Sequence, residues 1–189
     1  MPPNASGLPD PSTADLLAAA LRGEQRAWDR LVQRYGRLVW AVTRGYDVSS
    51  ADASDLSQTV WLRLLENLDR IKDPERLGSW LATTTRREAI RLLRRRGREF
   101  PDEHQEDESD QGRDGPEESA VIADEYAQMR AALGRLPERC RRLLRVIAAS
   151  DETNYGEVAA AMDMPMGSIG PTRSRCLEKL RIQYTQQSS

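Results

Sequence analysis

The stretch SWLATTTRREAIRLLRRRGR, Ser79–Arg98, decides how the rest of the chain is read. Gly78 precedes it and Gly97 falls near its end, so it reads as one helix. Arg87, Arg91, Arg94 and Arg98 recur at i, i+4, i+7 and i+11, which lines four guanidinium groups along one side of that helix. Trp80 lies on the N-terminal continuation of the same stripe, while Leu81, Ala89 and Leu92 fall on another side and face a core. A positive rail headed by an aromatic ring suits a phosphate backbone and an unstacked base. The pattern also fits a solvated basic face with Trp80 at a core edge, and the segments on either side decide between the two.

Charge is segregated along the chain. The 189 residues carry 28 Lys+Arg and 30 Asp+Glu, a net charge of −2. Yet Ser79–Arg98 holds seven Arg against Glu88 alone, and the tract 99–125 holds twelve acids against Arg113 alone. Such separation points to a charged partner. With 39% hydrophobic and 31% charged residues and few period-two segments, an all-α fold is expected. No apolar run is long enough for a membrane span, and the N-terminus lacks a signal-peptide pattern, so a cytoplasmic location without membrane insertion is expected. Cys140 and Cys176 lie far apart without metal spacing and fit reduced, mostly buried thiols. His104, the single histidine, sits in the acidic tract, which leaves histidine acid–base chemistry nothing to work with. No catalytic residue, metal or cofactor is expected.

In chain order, residues 1–12 carry four prolines and read as a disordered tail. Thr13 is the expected N-cap of a helix over 14–22, and 24–46 continues with a wide apolar face. After a break at 47–52, the pattern Leu56, Val60, Leu64, Leu68 predicts a helix over 53–68. A loop over 69–77 then leads into the basic helix, so residues 13–98 form a four-helix bundle. The acidic 99–120 reads as a flexible linker. Beyond it, 121–185 predicts a second small helical domain, with helices over 121–133, 138–149, 155–162 and 168–184. The last two form a helix-turn-helix, with Asp163–Met166 as the turn and Gly167 freeing the entry to the second helix. Pro171 is placed in that helix's first turn, where it is tolerated. Arg173, Arg175, Lys179 and Arg181 supply phosphate and base contacts.

A basic-railed bundle followed by a helix-turn-helix closely resembles the extracytoplasmic-function (ECF) group of the sigma-70 superfamily, RNA polymerase sigma factors reduced to domains sigma-2 and sigma-4. Four motifs match in order: ASDLSQTVWLRLLENL, GSWLATTTRREAIRLLRRRGR, LGRLPERCRRLL and YGEVAAAMDMPMGSIGPTRSRCLEKLR. The resemblance implies a non-enzymatic initiation subunit that binds core polymerase at the beta-prime clamp helices and the beta flap, and reads promoter DNA. It places Asp55, Leu56, Gln58, Trp61 and Leu62 on the clamp. Arg70, Lys72, Arg76, Trp80, Arg87, Arg91 and Arg94 fall on the melting −10 element. On the −35 element, Pro171, Thr172 and Arg175 lie nearest the bases, and Ser168, Arg173 and Lys179 grip phosphates. An anti-sigma factor bound across both domains is a further expected partner. The acidic linker is expected to pass through the polymerase cleft, where its run 103–110 mimics RNA phosphates.

The chain departs from the family pattern in ways that bear on promoter choice. Arg87 and Arg91 stand where Asn and Asp are usual, Thr59 where the clamp motif carries Glu, Asp163 at the turn glycine, and Pro171-Thr172 at a Ser-Arg pair. Two rivals share some of the sequence features. A polymerase-independent helix-turn-helix regulator predicts a palindromic site, but does not account for the Asp55/Gln58/Trp61 helix. A metal-dependent nuclease built on the acidic tract lacks an ordered framework for its ligands.

Overall fold

The computed structural model describes residues 10–46, 48–97, 120–150 and 154–186. Among these there are eight α-helices and no strand. Residues 1–9, and residues 99–119 of the expected acidic linker, lie outside the described residues.

Helix α1 (Thr13–Leu21) opens at a capping box. Ser12 Oγ accepts from Asp15 N–H at 3.1 Å, and Asp15 Oδ2 accepts from Ser12 N–H at 3.2 Å. The cap is therefore Ser12, not Thr13, because a carboxylate three residues on from Ser12 completes the reciprocal pair. The segment just before it is docked: Arg34 donates to Asp10 Oδ2 at 2.6 Å and to the Pro11 carbonyl at 2.8 Å. Residues 10–12 thus do not belong to a free tail. Gly23, at φ +83°, turns the chain into α2 (Gln25–Thr43).

Helix α3 (Ser50–Glu66) starts three residues before its expected beginning because Ser49 caps it through Asp52 N–H. Single turns at 68–70 and 74–76 follow, and the basic helix α4 (Leu77–Arg95) begins early enough to enclose Gly78. Gly97, at φ +66°, closes its C-terminal end.

The C-terminal half comprises α5 (Ala120–Gly134), α6 (Glu138–Ala149), α7 (Tyr155–Met162) and α8 (Met166–Thr185). The turn between α7 and α8 is made by Asp163 in the left-handed conformation, φ 53°, ψ 49°. Asp tolerates that region better than most residues, so it does the work expected of the family's glycine. Helix α8 starts at Met166, so Gly167 lies inside it and frees no entry, and Pro171 sits beyond the first turn. Its ring removes a donor to the Gly167 carbonyl, one turn back.

Two apolar clusters organise the packing. One lies within the N-terminal helices: Leu16, Leu17, Leu31, Val39, Val60, Leu64, Leu77 and Leu81 are all buried there. The other runs across both halves of the chain. Leu38, Val42, Tyr46, Leu56, Ala82 and Leu93 meet Leu143, Val146, Val158, Met162 and Ile169. Helices α2 and α4 carry residues of both clusters, so α4 is clamped on two sides and its third side is left for solvent. Truncating Leu81, fully buried at this junction, costs about 2–5 kcal/mol.

The cysteine expectation is corrected. Cys140 of α6 and Cys176 of α8 form a disulfide, with Cα atoms 5.3 Å apart. Distance along the chain does not hold them apart, because α6 and α8 pack against one another.

Candidate nucleic-acid interface

Helix α4 presents its outward side as a rail. Arg87, Arg91 and Arg94 are exposed, while Leu81, Ala82, Thr85, Ala89 and Leu93 are buried. Arg98 lies outside the described residues. The three cations are not equivalent. Glu88, 9% exposed, accepts from Arg91 Nη1 at 2.7 Å, and Arg63 Nε lies 3.8 Å from the same oxygen. Arg87 and Arg94 make no ion pair with a described residue, so their charges face outward undiminished. Trp80 is half-buried and packs on the N-terminal cluster, so it stands at the base of the rail with one side exposed.

Both ends of α4 are fixed. Arg96 makes a bidentate ion pair with Asp52 in the first turn of α3. Ser49 Oγ also donates to Asp52 Oδ2, at 2.5 Å. The Ser49 hydroxyl first, and the Arg96 guanidinium after it, hold the Asp52 carboxyl below the usual range. At the other end, the loop before α4 exposes Arg70, Lys72 and Arg76, the last 3.1 Å from Asp73 Oδ2. These three cations lie in the segment that leads into the N-terminal end of the rail.

On α8, Pro171, Arg173, Arg175 and Lys179 are exposed, and Thr172 and Ser168 are half-buried. Ser168 Oγ donates to the Pro165 carbonyl at 2.7 Å, which closes the first turn. Arg175 lies back along the helix, with Nε 3.4 Å from the Pro171 carbonyl and Nη2 3.4 Å from Thr172 Oγ1. Pro171, Thr172 and Arg175 therefore form one patch. The buried side of α8 is Ile169 and Cys176, and the disulfide fixes the helix to α6.

A different kind of surface lies on α3. Asp55, Gln58 and Leu62 are exposed, and Trp61 is half-buried. Trp61 meets Trp28 edge to face, with centroids 6.1 Å apart. Leu56 departs from the expected docking set: at 4% exposure it is core, because it faces α4 and the second cluster. Leu65 and Leu21, which the sequence reading did not single out, are 56% and 54% exposed, and Leu62 is 59% exposed. With Trp28, Gln58 and Trp61, Leu62 and Leu65 line an open groove of about 510 Å³ between α2 and α3. Its sequence signal was a pair of leucines at i and i+3 lying off the buried Leu56/Val60/Leu64 stripe. An apolar groove left open in this way marks a docking surface.

Among the described residues no helix is long and apolar enough to cross a membrane, and no group of His, Cys, Asp or Glu is placed to hold a metal ion.

Comparison with known proteins agrees with this geometry. Residues 31–99, from α2 through the end of the basic helix, match the family Sigma-70 region 2. The chain is 28% identical over 181 residues to the RNA polymerase sigma factor CnrH of Cupriavidus metallidurans, covering 88% of this chain and 94% of the relative. It is 26% identical over 163 residues to the ECF RNA polymerase sigma-E factor of Escherichia coli K12, with coverage of 82% and 84%. It is also 26% identical over 172 residues to the ECF RNA polymerase sigma factor SigE of Mycolicibacterium smegmatis, covering 88% of this chain and 66% of that longer protein. The structure of CnrH in complex with the cytosolic domain of CnrY shares the fold, with a TM-score of 0.57 at 22% identity, covering 88% of this chain and 93% of that one.

The helical bundle with its basic rail thus carries a Sigma-70 region 2 domain over residues 31–99, and a helix-turn-helix follows it in the chain. Along most of its length the chain is similar to ECF RNA polymerase sigma factors.

Proposed function

We propose that this chain acts as a sigma factor, directing core RNA polymerase to promoters by reading −35 and −10 elements and capturing the melted −10 strand. In this reading, residues 13–98 form sigma-2 and 121–185 form sigma-4. The α3 groove around Gln58, Trp61, Leu62 and Leu65 takes the beta-prime clamp helices, and the C-terminal helices take the beta flap. Helix α8 enters the major groove at −35, with Arg175 aimed at a base edge and Arg173 and Lys179 at phosphates. Arg87, Arg91 and Arg94, with Arg70, Lys72 and Arg76 in the adjoining loop, follow the non-template strand at −10.

Melting needs no bond chemistry. A surface that binds an unstacked strand better than a duplex shifts the equilibrium toward the open form by that difference. The observation that carries the proposal is the placing of two unlike surfaces on adjoining helices. An open apolar groove on α3 fits a protein, and an outward row of arginines on α4 fits a phosphate backbone. CnrH forms a complex with the cytosolic domain of CnrY. By that likeness, an anti-sigma factor is proposed as a second protein partner.

The test is reconstituted transcription with core polymerase on fragmented genomic DNA, with and without the protein. Discrete starts that appear only with it, preceded by shared −35 and −10 sequences, are expected. Tight DNA binding without polymerase and no new starts would instead identify a polymerase-independent regulator.

A further inference from the structure

Helix α2 carries a second row of cations, which the surfaces described so far do not use. Arg37, Trp40 and Arg44 recur at i, i+3 and i+7, so they line one side of the helix. That side faces away from the one on which Leu31, Leu38 and Val42 are buried. Trp40 is 45% exposed and stands between the two arginines. One lies about 4.5 Å and the other about 6 Å from it along the helix axis. Helix α6 packs against α2 and extends the row. Arg145 donates to the Arg44 carbonyl and closes the C-terminal end of α2. Arg141, one turn away on α6, donates to the Gly134 carbonyl at 3.2 Å.

Nothing neutralises this row. Arg37, Arg44, Arg141 and Arg145 make no ion pair with a described residue. The cause is in the sequence, which has no acid from Arg30 to Tyr46 and none from Arg139 to Ser150. Arg30 and Arg34, nearer the start of the same helix, both pair with Asp10, so neutralisation stops short of Trp40. Partial burial first, and then the charges of Arg141 and Arg44, hold Arg145 below the usual guanidinium value. Like charges gathered without a counter-charge favour the uptake of a polyanion. The exposed indole narrows the choice. Its flat face stacks on an unpaired base, whereas an acidic peptide would satisfy the arginines and leave the ring unused, and a duplex keeps its base faces covered. We propose that the α2 face around Trp40, with Arg37, Arg44 and Arg145, is a second site for single-stranded DNA, separate from the arginine rail of α4. The arginines hold phosphates and Trp40 stacks on one base. Such contacts carry no sequence code, so binding there is independent of base order. The choice of DNA over RNA rests on the promoter-opening role proposed above, because opening a promoter exposes single strands of DNA.

The experiment titrates the full chain, at low salt, into a fluorescently labelled oligodeoxythymidine of about twenty nucleotides and follows its anisotropy. Wild type should bind. Trp40→Ala should bind about fivefold more weakly or worse, and Trp40→Phe, which keeps a ring, should retain most of the affinity. Arg37→Ala and Arg44→Ala should each lower the slope of log affinity against log salt by about 0.7. These variants alter exposed or half-buried side chains, so melting temperatures should stay near that of wild type. No measurable binding by wild type would overturn the site outright. Full affinity in Trp40→Ala and Arg37→Ala, with loss in Arg87→Ala/Arg94→Ala, would put the strand on the α4 rail alone and equally overturn it. A duplex of the same length that binds as tightly, with the same dependence on Trp40, would overturn the single-strand assignment. Tighter binding of an oligouridine would overturn the choice of DNA. The titration needs no polymerase, so its outcome is separate from that of the transcription test above.

Discussion

Asp52, in the first turn of α3, grips Arg96, just beyond the last turn of α4, with both carboxylate oxygens. The pair spans 44 residues of sequence and sets the end of the basic rail against the start of the helix that carries the apolar groove. Its pH dependence has a definite sign. The folded carboxyl titrates below its ordinary value of about 3.9, so its contribution is complete above that value and disappears as pH falls through the lower folded one. Wild type should therefore melt higher than Asp52→Asn at pH 6–7, and the difference should shrink and vanish as the pH falls below the ordinary carboxylate range. A gap between the two melting curves that persists at low pH would contradict the role given to this pair.

The Cys140–Cys176 bridge closes a loop of 36 residues between α6 and α8. Restricting the unfolded chain over such a loop stabilises the fold by about 4 kcal/mol in the chain-entropy treatment. A reductant should lower the thermal midpoint of the wild type and leave Cys140→Ser unaffected. Melting curves of the wild type with and without reductant make the check, and coincident curves would mean the bridge does not form in solution.

How far these features could be read in advance depends on the range of the interaction that creates them. The basic helix, α6, α7 and the helix-turn-helix follow from periodicity within one element, and Asp163 follows from local backbone preference. The choice of Ser12 over Thr13 as cap turned on which of two adjacent hydroxyls has an acid three residues later, a signal present but overlooked. Leu56, expected on the docking side together with Leu62, is buried because α3 carries leucines on more than one side. Only its neighbours α2 and α4 select which side is covered. The disulfide and the closeness of Gly45 and Gly78 to Arg142 and Glu157 are contacts between elements far apart in sequence, to which no local pattern points.

The groove on α3 should tolerate charge where the buried side of the same helix cannot. Leu62→Asp and Leu65→Asp alter side chains that are 59% and 56% exposed, so the melting temperature should change little. Affinity for core polymerase should fall at least tenfold, as expected when a charge enters an apolar docking centre. Leu64→Asp is the contrasting control, since Leu64 is fully buried and its replacement should unfold the bundle. Equilibrium binding to fluorescently labelled core enzyme separates the cases. Unaltered affinity of both surface variants would remove the groove from the polymerase interface.

Along the rail, Arg87 and Arg94 should matter more than Arg91. Each of the first two makes no ion pair with a described residue, whereas Arg91 is held by Glu88 at 2.7 Å. Neutralising one phosphate-binding cation lowers the slope of log affinity against log salt by about one. Holoenzyme carrying Arg87→Ala or Arg94→Ala should show that reduction on promoter DNA, and Arg91→Ala should show less. Equal slopes for all three variants would mean that the Glu88 pair dissolves on binding.

Arg175 is the place to ask whether α8 reads sequence. Its guanidinium lies 3.4 Å from both the Pro171 carbonyl and Thr172 Oγ1, poised along the helix with no carboxylate partner among the described residues. Swinging out to a guanine edge therefore breaks only two long hydrogen bonds. A bidentate contact of that kind discriminates by about 1–3 kcal/mol, roughly tenfold to more than a hundredfold in affinity. Arg175→Ala should relax preference at a single −35 position. Lys179→Ala, a phosphate contact in this reading, should weaken all sequences alike. Holoenzyme binding to a library randomised across the −35 element measures both effects. Loss of preference spread evenly over several positions would show that Arg175 acts by placing α8 in the groove, not by touching one base.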